Sequence, residues 1–563
     1  MKISSQLLLS ACALGWLAAA APAFAQAVPG SADATRVGGQ IAPLRTQADM
    51  VSGVPVVSSG GVNAAPEGAD QITLVLKEVK IEGMTAYDEM AAEAVYRDML
   101  DKTVTLADVF AIADRLTAKY RNDGYILTQV ILPPQEIDGG VVRLQVVEGF
   151  VDKVNIQSGA IKNPDFLTGF ADKIRASKPL NSKTLERYLL LINDLSGMQA
   201  RAVLSPSATP GASDITLVME QKPLDLFLQA DNRGSRYLGP LQVNAGARFA
   251  NTFGLFEGIS LQAVATPDDA ELLFGTVTWQ QPLNHEGTSL SIGGGITETE
   301  PGHTLSQFGV EGLSRTLNIE LAHPFIRSRN LNLFVTGKLN LLDSERHDNL
   351  GGPETEDKLR VARLAATLQF ADRFMGQNSF SCEASKGLDI LGASDEGDAN
   401  LTRALGDPQF SKITAEVSRV QRVASNIDIF LSASGQATRD TLLASEEFGV
   451  GGQNFGSAYD NSEITGEHGV AGRAELRLNN PFPVPAAQFV QFYGFFDGGR
   501  VWDKDNILQK DRQRSVVSTG AGFRATVNEN FAATVELALP LTRRVEAEGD
   551  NNARIFGSIT LRY

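Results

Sequence analysis

The chain has 563 residues, and its 66 Asp and Glu outnumber 50 Lys and Arg to leave a formal net charge of -16. That balance argues against nucleic acid as a partner, because phosphate binding needs clustered Lys and Arg. Cys12 falls in a segment expected to be cleaved, which leaves only Cys382 and no intramolecular disulfide.

The N-terminus reads MKISSQLLLSACALGWLAAAAPAFAQA: Lys2 as a charged start, an apolar run from Leu7 to Ala20, and Ala23-Phe24-Ala25 as a small-x-small cleavage site. Residues 1–25 are therefore expected to be a signal peptide, with the mature chain starting at Gln26. A lipoprotein reading of Leu9-Ser10-Ala11-Cys12 would strand the apolar stretch Ala13 to Ala21 on the mature protein. From 26 to 70 the chain is rich in Ala, Gly, Ser, Pro and Val with little periodicity, and reads as a linker or weakly ordered N-terminal arm. After the leader no stretch reaches the ~18 apolar residues of a transmembrane helix. Membrane-spanning β-strands, of about ten alternating residues, stay open.

Two similar units follow, at 71–149 and 150–222. In the first, QITLVLKEVKIEG alternates as a strand, helical patterns cover Asp88 to Leu100 and Leu106 to Asp123, and ILTQVILP and VVRLQVVEG are strands. In the second, FVDKVNIQSG is a strand, Asp165 to Ala176 and Ser182 to Leu195 are helical, and ARAVLSPS and DITLVMEQ are strands. Each is a βααββ sandwich of helices on a sheet.

From 223 to 563 the pattern changes to about sixteen period-2 strands, a mainly β region. Short turns such as PLNHEG, FIRSRN and VNEN alternate with long acidic or polar loops such as LLDSERHDNLGGPETEDK, LGASDEGDANLTRALGD and RRVEAEGDNNAR. That is the pattern of a bacterial transmembrane barrel. The last strand agrees. In IFGSITLRY, Ile555, Gly557, Ile559, Leu561 and Tyr563 share one face, suited to lipid, while Ser558, Thr560 and Arg562 share the other.

Within the barrel region YGFFDGGRVW sets Tyr493, Phe495, Asp497 and Gly499 on one face of a strand. A carboxylate in such a place needs a partner, because burying an unpaired charge costs several kcal/mol.

Together these features resemble the two-partner secretion transporters of the outer membrane, the haemolysin-activator or filamentous-haemagglutinin transporter type (ShlB/FhaC/HecB) of the outer-membrane protein 85 superfamily. Three motifs carry the resemblance: Tyr120-Arg-Asn-Asp-Gly124-Tyr125 with Glu148-Gly149, Asp231-Asn232-x-Gly234, and Phe495-x-Asp497-x-Gly499. The resemblance implies two periplasmic POTRA domains before a barrel that passes an unfolded partner exoprotein, with no cofactor, no metal and no catalytic residue. Outer-membrane lipid and the barrel-assembly machinery are the other implied partners, the latter reading Tyr563 as a terminal signal.

The family's sixth surface loop folds back into the lumen and sets an arginine of its R-G-Y or R-G-F tip against the motif aspartate. Here the loop is Phe448 to Gly469 and the tip is Ser457-Ala458-Tyr459, so serine stands where arginine is expected. The resemblance then implies a loop held to Asp497 by neutral hydrogen bonds from Ser457 or Tyr459, unless another basic side chain reaches in. Residues 27–69 could hold the plug helix of some relatives.

Rival readings are weaker. The five histidines are scattered without metal-ligand spacing, and Gly520-x-Gly522-x-x-Ala525 lies in a strand with no helix after it, which argues against an enzyme. A passive porin would lack the two N-terminal units. A factor that inserts other outer-membrane proteins usually carries three or more such units, where this chain has two.

Overall fold

The computed structural model describes residues 28–41, 65–157, 159, 161–267, 271–349, 354–482, 484, 487–504 and 512–563. The expected signal peptide and most of the N-terminal arm lie outside them.

The first unit departs from its expected outline in two places. The long strand breaks at Lys77 into Thr73–Leu76, which pairs with an unforeseen strand Lys102–Thr105, and Glu78–Glu82, which runs parallel to Val141–Val147. The expected helix from Asp88 to Leu100 is only Glu89–Glu93 followed by a 3-10 turn at Arg97–Met99, after which Asp101 turns the chain with a φ of 58°. The helix Leu106–Asn122 holds as read, because Thr105 and Asp108 form a reciprocal capping box at its start. It buries Val109, Ile112, Ala113, Leu116 and Tyr120 on one face.

The paired motifs of this unit meet in space. The Glu148 carboxylate accepts from the backbone N–H of Thr85 and Ala86, both at 2.8 Å, from Thr85 Oγ1, and from Tyr120 Oη at 2.8 Å. Tyr120 and Tyr125 stand edge-on 5.9 Å apart, each against Tyr87. These residues fasten the helix to the sheet.

The second unit has strands Phe150–Gln157, Met198–Pro206 and Ala212–Gln221, with helices Asp165–Arg175 and Ser182–Asn193 packed on them. It is seated on the short turns of the barrel. Arg327 grips the Asp194 carboxylate with two bonds of 2.7 and 2.8 Å, Glu286 takes Lys173 at 2.7 Å and Tyr188 Oη at 3.0 Å, and Asn163 donates to Gly254 O at 3.0 Å. His285 nests against Phe166 and Phe170 over Gly169, where a Cβ would come within 2.3 Å of the ring.

Among the described residues sixteen strands, from Leu224–Asp231 to Arg554–Arg562, pair antiparallel in chain order and close into a barrel. Closure leaves no free edge in the membrane. Alternation sets the faces: Val470, Leu476 and Leu478 point out, while Ala471, Arg473 and Glu475 are buried inside. At the seam, Asp231 to Phe227 run opposite Ser558 to Arg562. The Asn232 side chain extends this ladder, donating to Ile555 O at 2.9 Å and accepting from Gly557 N at 2.7 Å. Leu226 and Tyr563 exchange backbone hydrogen bonds of 2.9 and 3.1 Å at the other end of the seam.

One expected loop proves to be mostly strand. Leu331–His347 and Thr355–Ala371 continue their pairing through what reads in sequence as an acidic loop. An apolar cluster explains the extension: Leu342, Leu359 and Val361 are covered by Leu401, Phe410, Leu442 and Leu443 from the neighbouring long loops.

The arm also gains structure. A 3-10 turn at Gly30–Ala32 leads into helix Ala34–Gln40, capped by Asp33, whose side chain accepts from Thr35 N at 2.9 Å. Ala32 and Val37 pack on Tyr237, Leu238, Phe274, Leu305 and Ala547, so this helix occupies the lumen at the long-loop end. Its apolar stripe was too short to read against the alanine-rich background.

Hydrogen bonding to Glu148 sets an acid limit on the first unit. Burial raises this carboxyl, but the bonds from Thr85, Ala86 and Tyr120 outweigh it and hold the group below its usual 4.5. The stabilisation is therefore full above that value and lost as pH falls through the lowered one. Thermal unfolding of a 71–222 fragment is expected to weaken below pH 4.5, Glu148→Gln to lose that acid dependence, and Tyr120→Phe to cost about 1 kcal/mol at pH 7.

Candidate functional site

The candidate site is the lumen wall where the long loop folds inward. The loop leaves strand Ile427–Thr438, forms the short hairpin Phe448–Val450 with Ile464–Gly466, and rejoins the barrel at His468–Asn479. Its tip residues are buried: Ser457 and Ala458 are 0% exposed and Tyr459 2%.

Asp497 is 1% exposed and fully partnered. Ser457 Oγ donates to Oδ2 at 2.5 Å, Ser457 N lies 3.2 Å from Oδ1, and Ser518 Oγ also donates to Oδ1. The cation is Arg473, whose Nη1 sits 2.8 Å from Oδ2. The expectation of a loop held by neutral bonds alone is thereby overturned. Arg473 is the direct cross-strand partner of Asp497 on the adjacent barrel strand, so the wall supplies the charge that the loop tip lacks.

Tyr459 does not reach the carboxylate. Its hydroxyl bonds Thr542 Oγ1 and Arg543 O, both at 3.2 Å, and accepts from Arg543 N at 3.2 Å, tying the tip to the last surface loop. Ala458 O accepts from Arg554 Nη1 at 3.1 Å. Phe495 lies under the Arg473 guanidinium at 4.4 Å, a cation–π stack between two buried side chains. At Gly499 a Cβ would approach Val470 O at 2.7 Å and Val450 Cγ1 at 2.9 Å, so only glycine lets the loop hairpin lie this close to the wall. Tyr563 is far from this socket, on the outer face at 74% exposure.

Arg473 belongs to a larger network that the sequence reading did not find. Glu475 accepts from Arg473 at 2.8 Å, Arg477 at 2.7 Å and Arg524 at 2.7 Å, while Glu536 takes Arg233 at 2.6 Å and Tyr493 Oη at 2.7 Å. The signal was in AGRAELRL, where Arg473, Glu475 and Arg477 recur every second residue on the lumen face. Elsewhere Glu447, Glu467 and Asp503 bring carboxylate oxygens within 4.8 Å of one another. Arg403 meets the first two at 2.9 and 2.5 Å and Arg514 the third at 2.9 Å, so cations already answer this cluster.

With this geometry established, comparison with known proteins is direct. The family model "Haemolysin secretion/activation protein ShlB/FhaC/HecB" matches residues 211–525, and the "POTRA domain, ShlB-type" model matches 74–149. The chain belongs to this family. It is an outer-membrane transporter of two-partner secretion with its POTRA region on the periplasmic side, which puts the long loops at the cell surface. The transporter is 22% identical to the heme/hemopexin transporter protein HuxB of Haemophilus influenzae over 84% of each chain. It is 23% identical to the outer membrane transporter CdiB of Dickeya dadantii over 83% of each. The solved structure of CdiB from Escherichia coli superposes with a TM-score of 0.74 at 18% identity, covering 91% of this chain and 94% of that one.

The socket makes a sharp prediction. Removing Arg473 strands a buried carboxylate, which costs about 3–5 kcal/mol for an uncompensated partner. Arg473→Gln is expected to expose residues 452–468 to external protease and raise single-channel activity, whereas Ser457→Arg brings no gain because Asp497 is already paired. Tighter closure in Ser457→Arg would show that the wall arginine does not satisfy the aspartate.

Proposed function

We propose that the transporter takes an unfolded exoprotein from the periplasm on its two POTRA units, 71–149 and 150–222, and passes it through the barrel of 223–563 after the lumen is cleared. The observation that carries this reading is the polarity of the molecule. Sheets with edge strands lie at one end, Glu78–Glu82 in the first unit and Phe150–Gln157 in the second. A closed barrel filled by a loop and a helix lies at the other.

The chemistry fits an extended cargo. A strand with one neighbour offers backbone donors and acceptors to any unfolded segment, with little demand on its side chains. The sixteen-stranded ring gives the segment a way out once the loop tip leaves Asp497. A passive porin does not account for the filled lumen or the seated second unit.

Relatives are named for heme/hemopexin and for hemolysin transport, the latter being HpmB of Proteus mirabilis.

Two further partners belong to the reading. Outward residues such as Phe496, Ile555, Ile559 and Leu561 offer an apolar band to outer-membrane lipid. Tyr563, pairing with Leu226 at the seam, is proposed as the residue the barrel-assembly machinery reads.

The 71–222 fragment is expected to bind the unfolded N-terminal domain of a co-encoded exoprotein, measured by titration of the two purified pieces. Absence of binding to every co-encoded exoprotein would end the capture reading. Deleting Tyr563 is expected to reduce heat-modifiable barrel in the outer membrane severalfold, and unchanged levels would remove its assembly role.

A further inference from the structure

The loop tip is not the loop's only hold on the barrel. At its other end the 3-10 turn Ala444–Glu446 carries Glu446 deep into the wall, 4% exposed, against the strands that precede the loop. Its Oε1 is 2.6 Å from Arg363 Nη2 and its Oε2 is 2.7 Å from Lys412 Nζ. The backbone oxygen of Glu446 accepts from Lys412 Nζ at 2.8 Å and from Gln436 Nε2 at 3.0 Å. Three barrel strands, Thr355–Ala371, Ser411–Ala424 and Ile427–Thr438, thus converge on one loop residue.

The charges around it are unequal. Arg363 has one further carboxylate, Glu383, at 3.5 Å, and Lys412 has Glu446 as its ion-pair partner among the described residues. Burial raises the Glu446 carboxyl, but Lys412 and Arg363 outweigh it and hold it down to about 2. The next residue points the other way. Glu447 takes Arg36 of the lumen helix at 3.5 Å and Arg403 of a surface loop at 2.9 Å. Arg36 Nη1 also donates to Glu447 O at 3.3 Å.

We propose that Glu446 is a second latch of the lumen loop, independent of the Asp497 socket, and that its release uncovers Arg363 and Lys412 as a cationic stretch of the open passage. The proposal rests on the transporter reading but not on any particular cargo. The socket fixes the tip to strands His468–Asn479, Phe489–Trp502 and Gln513–Asn528, and the Glu446 latch fixes the base to the adjoining stretch of wall that precedes the loop, from Ile427–Thr438 back to Thr355–Ala371. With Glu447 joined to Arg36, movement of the base also pulls on the helix. Each hold opposes departure of the loop, so loss of either makes opening more frequent and loss of both more frequent still.

The test is ionic current through the purified full-length protein in a planar lipid bilayer, with no cargo present, so a failure of the cargo reading leaves it unaffected. Glu446→Gln keeps the side-chain shape and removes the charge. It is expected to raise the frequency of opening about tenfold, as loss of a buried charge-assisted contact would, and to shift the reversal potential in a KCl gradient toward chloride. Adding Arg363→Gln and Lys412→Gln should keep the openings and abolish the chloride preference. Combining Glu446→Gln with Asp497→Asn should give more opening than the sum of the two single changes. Should Glu446→Gln fail to yield a heat-modifiable barrel, Lys412→Gln carries the measurement of opening frequency with the loop sequence intact. Wild-type current in a folded Glu446→Gln or Lys412→Gln barrel would overturn the latch, as would openings of Glu446→Gln with no change in ion preference.

Discussion

A carboxylate withdrawn from water inside a barrel must be answered by a cation, and the arrangement around Asp497 follows from that requirement. The compensation could come from the moving part or from the frame. In this molecule it comes from the frame, since Arg473 and Asp497 face each other across neighbouring strands whose register is fixed by the hairpin joining them. The loop contributes a serine hydroxyl and one backbone N–H to Asp497, and its Gln453 O and Ser457 Oγ accept from Arg473 Nη1. When the loop departs, the ion pair stays together and no charge is left bare. The socket is therefore a preformed receptor for the loop tip, and what the tip surrenders there is a set of hydrogen bonds and the contacts of Tyr459 and Val450.

This division changes how the filling of the lumen is organised. Around the socket, charge pairs such as Arg473 with Glu475 and Arg233 with Glu536 are made without help from the loop. Charge pairs between the loop and its surroundings sit elsewhere, at Glu446, Glu447 and Asp460, the last with Arg554 at 2.8 Å. The resident helix is tied into the same set through Arg36. Loop and helix occupy different parts of the ring and share one two-residue node, so the lumen filling behaves as a single jointed body.

Much of the architecture could be read from the chain because period-2 alternation survives wherever a strand divides lipid from lumen, as in Val470 to Leu478. It failed where another constraint overrode composition. The stretch DSERHDNLGGPETEDK looks like a solvated loop, yet both its flanks stay paired because Leu342, Leu359 and Val361 find cover beyond the membrane. The helix Ala34–Gln40 draws its order from the barrel around it, not from its own propensity, with two adjacent glycines in seven residues. The aspartate of the socket was visible from Phe495-x-Asp497-x-Gly499, but its cation was sought in the loop, where the family resemblance implies it. Arg473 lies in AGRAELRL, between the loop and the motif strand, and only the pairing register brings it to Asp497.

The seam adds a constraint of time. The strand that begins the barrel is closed by the strand that ends the chain, with Leu226 bonded to Tyr563 and Asn232 to Ile555 and Gly557. All other neighbours in the ring are adjacent in sequence and can pair as they are made, whereas this contact closes the longest loop in the molecule and carries its entropy cost. Until Arg554–Arg562 is in place against Leu224–Asp231, the barrel is an open sheet with two unsatisfied edges. A chain without that strand would therefore yield a sheet that cannot be shut in this register.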